Sequence, residues 1–217
     1  MSILTVGPGE QYSTIHDAVN VANSGDTINV DAGTYNNDFT FIGKSLTLQA
    51  VNGRVLMTAD QSPPDGKAII TEGILGSSIN VVINGFDISG ATVGDNNGAA
   101  IRYEGGNLIL NDAYFHDNQE GLLAAPDPTG TITINHSEFA FNGDGSGSTH
   151  NLYVNQIASL TIDNSYFNDV SIGHEIKSRA QSTTITNMRI FDNNGTASYS
   201  IDLPFSGNAN ISNNIIE

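Results

Sequence analysis

From residue 79 onward, apolar and polar residues alternate in short bursts that return at a nearly constant interval. The phrase apolar-x-apolar-polar, with an apolar or aromatic residue four positions later, occurs as VVINGFDI, LILNDAYF, ITINHSEF, LTIDNSYF and TITNMRIF, and a sixth copy begins at NISNNIIE. Its polar position falls on Asn84, Asn111, Asn135, Asp163, Asn187 and Asn213, at intervals of 27, 24, 28, 24 and 26 residues. The residue four positions on is Ile88, Phe115, Phe139, Phe167 and Phe191. Two-residue alternation within each burst is the signature of a strand, and Val, Ile, Thr, Tyr and Phe dominate it. A fixed period of this size built from strands rather than helices predicts a solenoid of stacked β-coils.

The columns so aligned have predicted roles. Asn at the corner of each coil tolerates the left-handed backbone region, and stacked amides hydrogen-bond from coil to coil. The Phe column is expected to stack inside the solenoid. A second strand per coil is expected in AAIRYEG, EGLLAAP, HNLYVNQ, HEIKSRA and YSIDLPF, with Ile101, Leu122, Leu152, Ile176 and Ile201 pointing inward. Simple alternation then places the residues on either side of each outward.

The N-terminal part is different. Ile15, Ala18, Val19 and Ala22 lie at helical spacing, Ser13 is the expected N-cap and Ser24-Gly25-Asp26 the stop. An open solenoid end exposes backbone and core, so this helix is expected to cap the first coil. The chain thus reads as a single β-helix domain over 1–217: a cap over 1–26, less regular coils over 27–78 with a loop insertion at 58–66, and regular coils over 79–217. Because the sequence stops inside a first strand, a further C-terminal domain or a second copy is expected to cover the last coil.

Composition narrows the function classes. Seven Lys and Arg against 23 Asp and Glu give a formal charge of −16, which argues against nucleic acid as a partner and against anionic membranes. No apolar stretch is long enough to span a bilayer, so no membrane insertion is expected. There is no cysteine and no Sec-type leader, which leaves extracellular export by a route such as type I secretion as the expectation.

The opening GPGEQYSTIHDAVNVANSGDTINVDAGTY resembles the start of pectate-lyase-like right-handed parallel β-helix proteins. There a short helix precedes a Gly-Asp-Thr-Ile-x-Val strand and a Gly-x-Tyr turn. The I-x-N-x-x-F phrases resemble the repeats of the same superfamily, which includes pectate, alginate and chondroitinase-B-like lyases, mannuronan C5-epimerase modules, polygalacturonases and tailspikes. The resemblance implies an all-β, right-handed parallel β-helix.

The second-strand face is the one rich in chemistry. The column after the inward residue holds Arg102, Leu123, Tyr153, Lys177 and Asp202; two residues on stand Glu104, Ala125, Asn155, Arg179 and Pro204. The residues before the inward column are Ala100, Gly121, Asn151, Glu175 and Ser200, and the strand entries are Glu120, His150, His174 and Tyr199. Three of seven scarce cations fall here. Lyase or epimerase chemistry on a uronic acid begins with removal of the C5 proton, so it needs a neutralised carboxylate, a base and a second proton donor. Arg179 or Ca²⁺ is the candidate for neutralising the carboxylate. Lys177 is the candidate base, and Tyr153 or His174 the second donor. Asp202, Glu175 and Asn155 offer oxygen ligands for calcium, with Asp202 and Glu175 the metal candidates. Arg102, His150, Asn155, Glu120 and Tyr199 are expected to bind the polysaccharide. The resemblance implies a Lys/Arg pair with calcium on this face, but on adjacent coils rather than on one strand as here. The epimerase D-P-H-E motif is matched only by His174-Glu175. A hydrolase would require paired carboxylates flanking the bond, and no Asp-Asp pair stands on this face. The alternative is a non-catalytic β-helix serving as a glycan-binding, adhesin or structural module.

Overall fold

The computed structural model describes residues 1–205 and 207–217. Its core is a right-handed parallel β-solenoid of about eight turns. Every named strand pair is parallel, as stacked coils running in one direction require. The coils build three walls. The first comprises Thr40–Ile42, Ala68–Glu72, Ala99–Tyr103, Glu120–Ala124, Leu152–Val154, His174–Ser178 and Tyr199–Asp202. The second runs from Asn80–Asn84 through Asn107–Asn111, Asp127–Asn135, Ile157–Asp163 and Ser182–Thr186 to Asn208–Ser212. The third contains Phe86–Ser89, Tyr114–His116, Glu138–Ala140, Tyr166–Asn168, Arg189–Phe191 and Ile215–Ile216. In the early coils Leu46–Thr58 turns the corner as one long strand and pairs with both Asn80–Asn84 and Phe86–Ser89.

The expected helix is present at Ile15–Val21 and buries Ile15, Ala18 and Val19 against the first coil. Its N-cap is Thr14 rather than Ser13: Thr14 is extended, and its hydroxyl accepts from the Asp17 amide at 3.1 Å. Asp38, from the next coil, accepts from the amides of Ile15 and His16 and so ties the helix N-terminus to the solenoid. Lys44 donates to the carbonyls of Val19 and Ala22 at the other end.

The amide ladder runs from Asn135 to Asn111 (3.0 Å), Asn111 to Asn84 (2.7 Å) and Asn84 to Gln49 (2.9 Å). These residues end extended strands. The left-handed corner is the following position: Gly85, Asp112, His136, Asn164, Asn187 and Asn213 all have positive φ. Thr186 stands opposite Asp163, and Ser212 opposite Thr186, so these two and not Asn187 and Asn213 continue the ladder register. The same one-residue slip corrects the aromatic column. Ile190 follows Phe167 inside the core, and Phe191 lies a position further on, partly exposed. Phe115, Phe139 and Phe167 do form an internal column: Phe115 meets Phe139 edge to face at 5.1 Å and Phe139 stacks on Phe167 at 4.6 Å between centroids.

Candidate functional site on the first wall

Register sets the outer face. Thr71, Arg102, Leu123, Tyr153, Lys177 and Asp202 are successive Cα partners, so the expected column forms one line along the wall. Ile101, Leu122, Leu152 and Ile176 beside it are fully buried, and Ile201 is partly so. Alternation fails at the strand entry, however. Ala100 and Ile101 both belong to the core, as do Ile69 and Ile70 one coil earlier. Two consecutive residues therefore turn inward, and the residue before them turns outward.

This break in the period corrects two expectations. Asn151 and Glu175 do not decorate the outer face; both are fully buried in the corner between the third and first walls. There they extend an internal polar ladder. The Asn118 amide and side chain donate to Asn142 (3.0 and 3.1 Å), Asn142 donates to Asn151 (2.7 Å), and Asn151 donates to the Glu175 carboxyl, which also accepts from the Val170 amide. Burial pushes the Glu175 carboxyl up to about 7, against the pull of these donors. Glu175 is thus a structural acid, separated by the strand from Asp202, and the two do not form a metal site. Among the described residues no group of three or more His, Asp or Glu side chains is arranged to hold a metal ion.

On the outer face the cations converge on one ring. The Lys177 ammonium lies 5.3 Å and the Arg179 guanidinium 5.4 Å from the centroid of Tyr153, within cation–π range. Arg179 also lies 5.7 Å from the Phe205 ring. Neither cation is salt-bridged among the described residues, and Arg179 Nε is buried without a hydrogen-bond partner. Arg102 is different: it and Lys67 share the Glu104 carboxylate at 2.9 and 3.0 Å, which holds that carboxyl below its ordinary range. Lys67 is a fourth cation on this wall; it stands just before the strand Ala68–Glu72, in an early coil that carries no copy of the repeated phrase. Lys67, Arg102, Leu123, Tyr153 and Asn155 line a cleft of about 300 Å³.

The strand entries form an aromatic file. His150 and His174 are 4.7 Å apart by centroid, His174 stacks on Tyr199 at 5.3 Å, and His150 meets the edge of Tyr153 at 5.6 Å. His150 Nδ1 accepts from the His174 amide at 3.1 Å and lies 3.2 Å from His174 Nδ1, which therefore carries the proton of that contact. His174 Nε2 is 3.7 Å from Asp202. Burial, followed by the charge of Lys177, pulls the His150 pKa down to about 3 and lowers that of His174, where Asp202 partly opposes the shift. Both imidazoles are therefore neutral at physiological pH. Glu120 is almost wholly buried and accepts from the His150 amide at 2.9 Å; burial raises its pKa well above the ordinary carboxyl range. Of the four carboxyl groups expected on this face, only Asp202 remains partly exposed and free of a salt bridge to Lys or Arg.

No protein-family model matches the sequence, and no curated protein does either. Solved structures do match. The PL6 family alginate lyase AlyGC, in a point-mutant form, superposes with a TM-score of 0.63 at 15% identity; the match covers all of this chain and 40% of that enzyme. The pectin methylesterase from Aspergillus niger gives 0.63 at 19% identity, covering 99% of this chain and 76% of that one. Pectate lyase Pel9A gives 0.55 at 14%, covering 100% and 79%. This chain thus spans about two-fifths of the alginate lyase and about three-quarters of the other two. Strand register, coil period and these superpositions together give the chain the pectate-lyase-like right-handed parallel β-helix fold.

Proposed function

We propose that the first wall acts on a uronic-acid-containing polysaccharide by abstracting the C5 proton, as a lyase or a C5-epimerase. The observation that supports this best is the pair Lys177 and Arg179, unpaired across the face of Tyr153 in a chain of net charge −16. Scarce cations left without carboxylates suit an anionic ligand. In this reading the two cations receive the uronate carboxylate, and their charge makes the C5–H bond more acidic. With Lys177 committed beside Arg179 to the carboxylate, neutral His174 rather than Lys177 takes the C5 proton in this reading. In elimination the electron pair forms the C4=C5 double bond, the C4–O4 bond breaks, and the Tyr153 hydroxyl protonates O4. In epimerisation Tyr153 returns a proton to the opposite face of C5. The names of the alginate and pectate lyases that share the fold agree with a polyuronate substrate.

The test is incubation with alginate, polygalacturonate, hyaluronan and chondroitin. Ultraviolet absorbance reports the new double bond, and proton NMR reports C5 inversion. Turnover is expected on at least one polymer. Replacing Lys177 and Arg179 together with Ala should reduce it about 10²–10³-fold; unchanged turnover would remove this site from the reaction. A binding-only role is the second reading, favoured by the near-complete burial of His150 and His174. It predicts saturable binding with neither product.

A further inference from the structure

The seven cations of this chain are not scattered. Lys44 caps the helix, four line the first wall, and the remaining two, Arg54 and Arg189, flank a groove of about 530 Å³ on the third wall, away from the proposed site. The outward column of that wall is Tyr114, Glu138, Tyr166 and Arg189, successive Cα partners on four coils. Coils repeat at about 4.8 Å, so the two tyrosines stand about 10 Å apart, roughly the rise of two sugar units in an extended chain. Each ring is held by a contact over one face, which leaves the other for a ligand. Tyr114 stacks on His116 at 4.2 Å, and His116 is fixed between Asp87 (3.0 Å) and Asp117 (2.6 Å). The Tyr166 hydroxyl accepts from Asn193, and Arg189 lies 5.5 Å from its ring. Arg54 and Arg189 are exposed and, among the described residues, neither is salt-bridged. Glu138 accepts from Asn168 and presents its remaining lone pairs to the groove as acceptors for sugar hydroxyls.

We infer that this groove is a second, non-catalytic binding site for an acidic polysaccharide strand, with Tyr114 and Tyr166 as stacking platforms and Arg54 and Arg189 receiving carboxylates at either end. The proposal takes its ligand class from the reading of the first wall. Two guanidinium groups free of salt bridges at the ends of an aromatic file complement a linear polyanion, whose carboxylates they bind by charge-assisted hydrogen bonds, whereas the hydroxyls of a neutral glycan would gain only weaker ones. Two sites on different walls of one solenoid would hold one polymer twice, or two polymers at once, and raise residence on long chains.

The experiment is calorimetric titration of the full chain with hexasaccharides of galacturonate, guluronate and mannuronate, and with cellohexaose as the neutral control. The variants are Tyr166→Ala, Arg189→Ala, Arg54→Ser and the Lys177→Ala/Arg179→Ala pair. Two sites per chain are expected for at least one uronide. Arg189→Ala or Arg54→Ser should weaken one of them about tenfold, the effect of losing one charge-assisted contact, and leave turnover of the hexasaccharide unchanged. The double variant of the first wall should leave the third-wall site intact. A stoichiometry of one that survives all third-wall variants overturns the inference, as does equal affinity for cellohexaose or no uronide binding at all. Uronide binding at the third wall without turnover of any polymer would overturn the reading of the first wall and leave this one standing. Arg54 and Arg189 are exposed, so loss of fold does not confound their variants; circular dichroism of Tyr166→Ala checks the remaining case.

Discussion

Glu72 is the residue whose burial is hardest to reconcile with its chemistry. It is fully buried, neither carboxyl oxygen has a hydrogen-bond partner, and burial raises its pKa well above the ordinary value of 4.5. It occupies an inward position, in register with Ile42 and Tyr103. Below pH 4.5 the folded and unfolded chains both carry the proton. As pH rises past that value the unfolded chain releases it and the folded chain does not, so stability falls. Glu72→Met keeps the length and removes the orphaned acid. It should raise stability by about 1–3 kcal/mol at neutral pH, and the gain should shrink toward pH 4, as urea melts at several pH values would show. His150 has the opposite sign. Its pKa falls from 6.5 to about 3 through burial and then Lys177. As pH drops below 6.5 the unfolded chain takes up a proton that the folded chain refuses, and stability declines by roughly 2–4 kcal/mol toward pH 3. His150→Asn retains an acceptor for the His174 amide and should flatten that acid limb in thermal melts. An equally steep limb in the variant would refute the assignment. The residue scale is also where the sequence was least readable. Lys177 and Glu175 are two positions apart, and strict alternation puts them on the same face. The paired inward turn at strand entry puts them on opposite ones, and nothing in the period of two announces such a break.

At the scale of the strand and its column, the pattern carried further. Five inward apolar residues of the first wall, the amide ladder as far as Asn135, and the Phe115–Phe139–Phe167 stack were all legible, because burial imposes a repeating choice of residue type. The repeat is ambiguous at TITNMRIF. Thr186 and Asn187 are both short and polar, and Phe191 offered a tempting match to the aromatic column. The backbone settled it: Asn187, like Asn164 one coil earlier, is the left-handed residue, so Ile190 takes the core position. The internal ladder Asn118–Asn142–Asn151–Glu175 was illegible because it joins corners rather than strands. Phe139 tests the column directly. It is fully buried between two aromatic neighbours on adjoining coils. Phe139→Ala should cost about 3–5 kcal/mol, from lost transfer energy plus an unfilled cavity between coils, and Phe139→Leu distinctly less. Equal losses for the two would mean that volume in the stack is not what stabilises it.

In the whole molecule, stability should not be uniform along the solenoid axis. A coil touches only its neighbours, so an inner coil is held from two sides and an outer one from a single side. The first coil is covered by the helix Ile15–Val21, whose buried face closes the core there. Among the described residues nothing covers the last coil in this way: Ile211, Ile215 and Ile216 are 44–62% exposed, and every residue of Asn208–Ser212 but the last is exposed. Its strands pair on one side only, with Ser182–Thr186 and Arg189–Phe191. In a protein of these 217 residues alone, local opening should therefore begin at residues 199–217 and proceed toward the centre, while the coils bearing Phe115, Phe139 and Phe167 open only with the whole. Native-state hydrogen exchange measures this gradient amide by amide. The expected result is protection that rises from Ile215 through Ile190 to Phe167 and stays high to Leu48. Lys177 and Arg179 lie one coil in from the edge, so the proposed site sits where that gradient is steep. Exchange at His174–Ser178 should slow when a uronide hexasaccharide binds, because a ligand that engages only the closed coil shifts its opening equilibrium by mass action. Uniform protection from end to end would mean that the solenoid unfolds as one unit and that the site does not share in the fraying of the last coil.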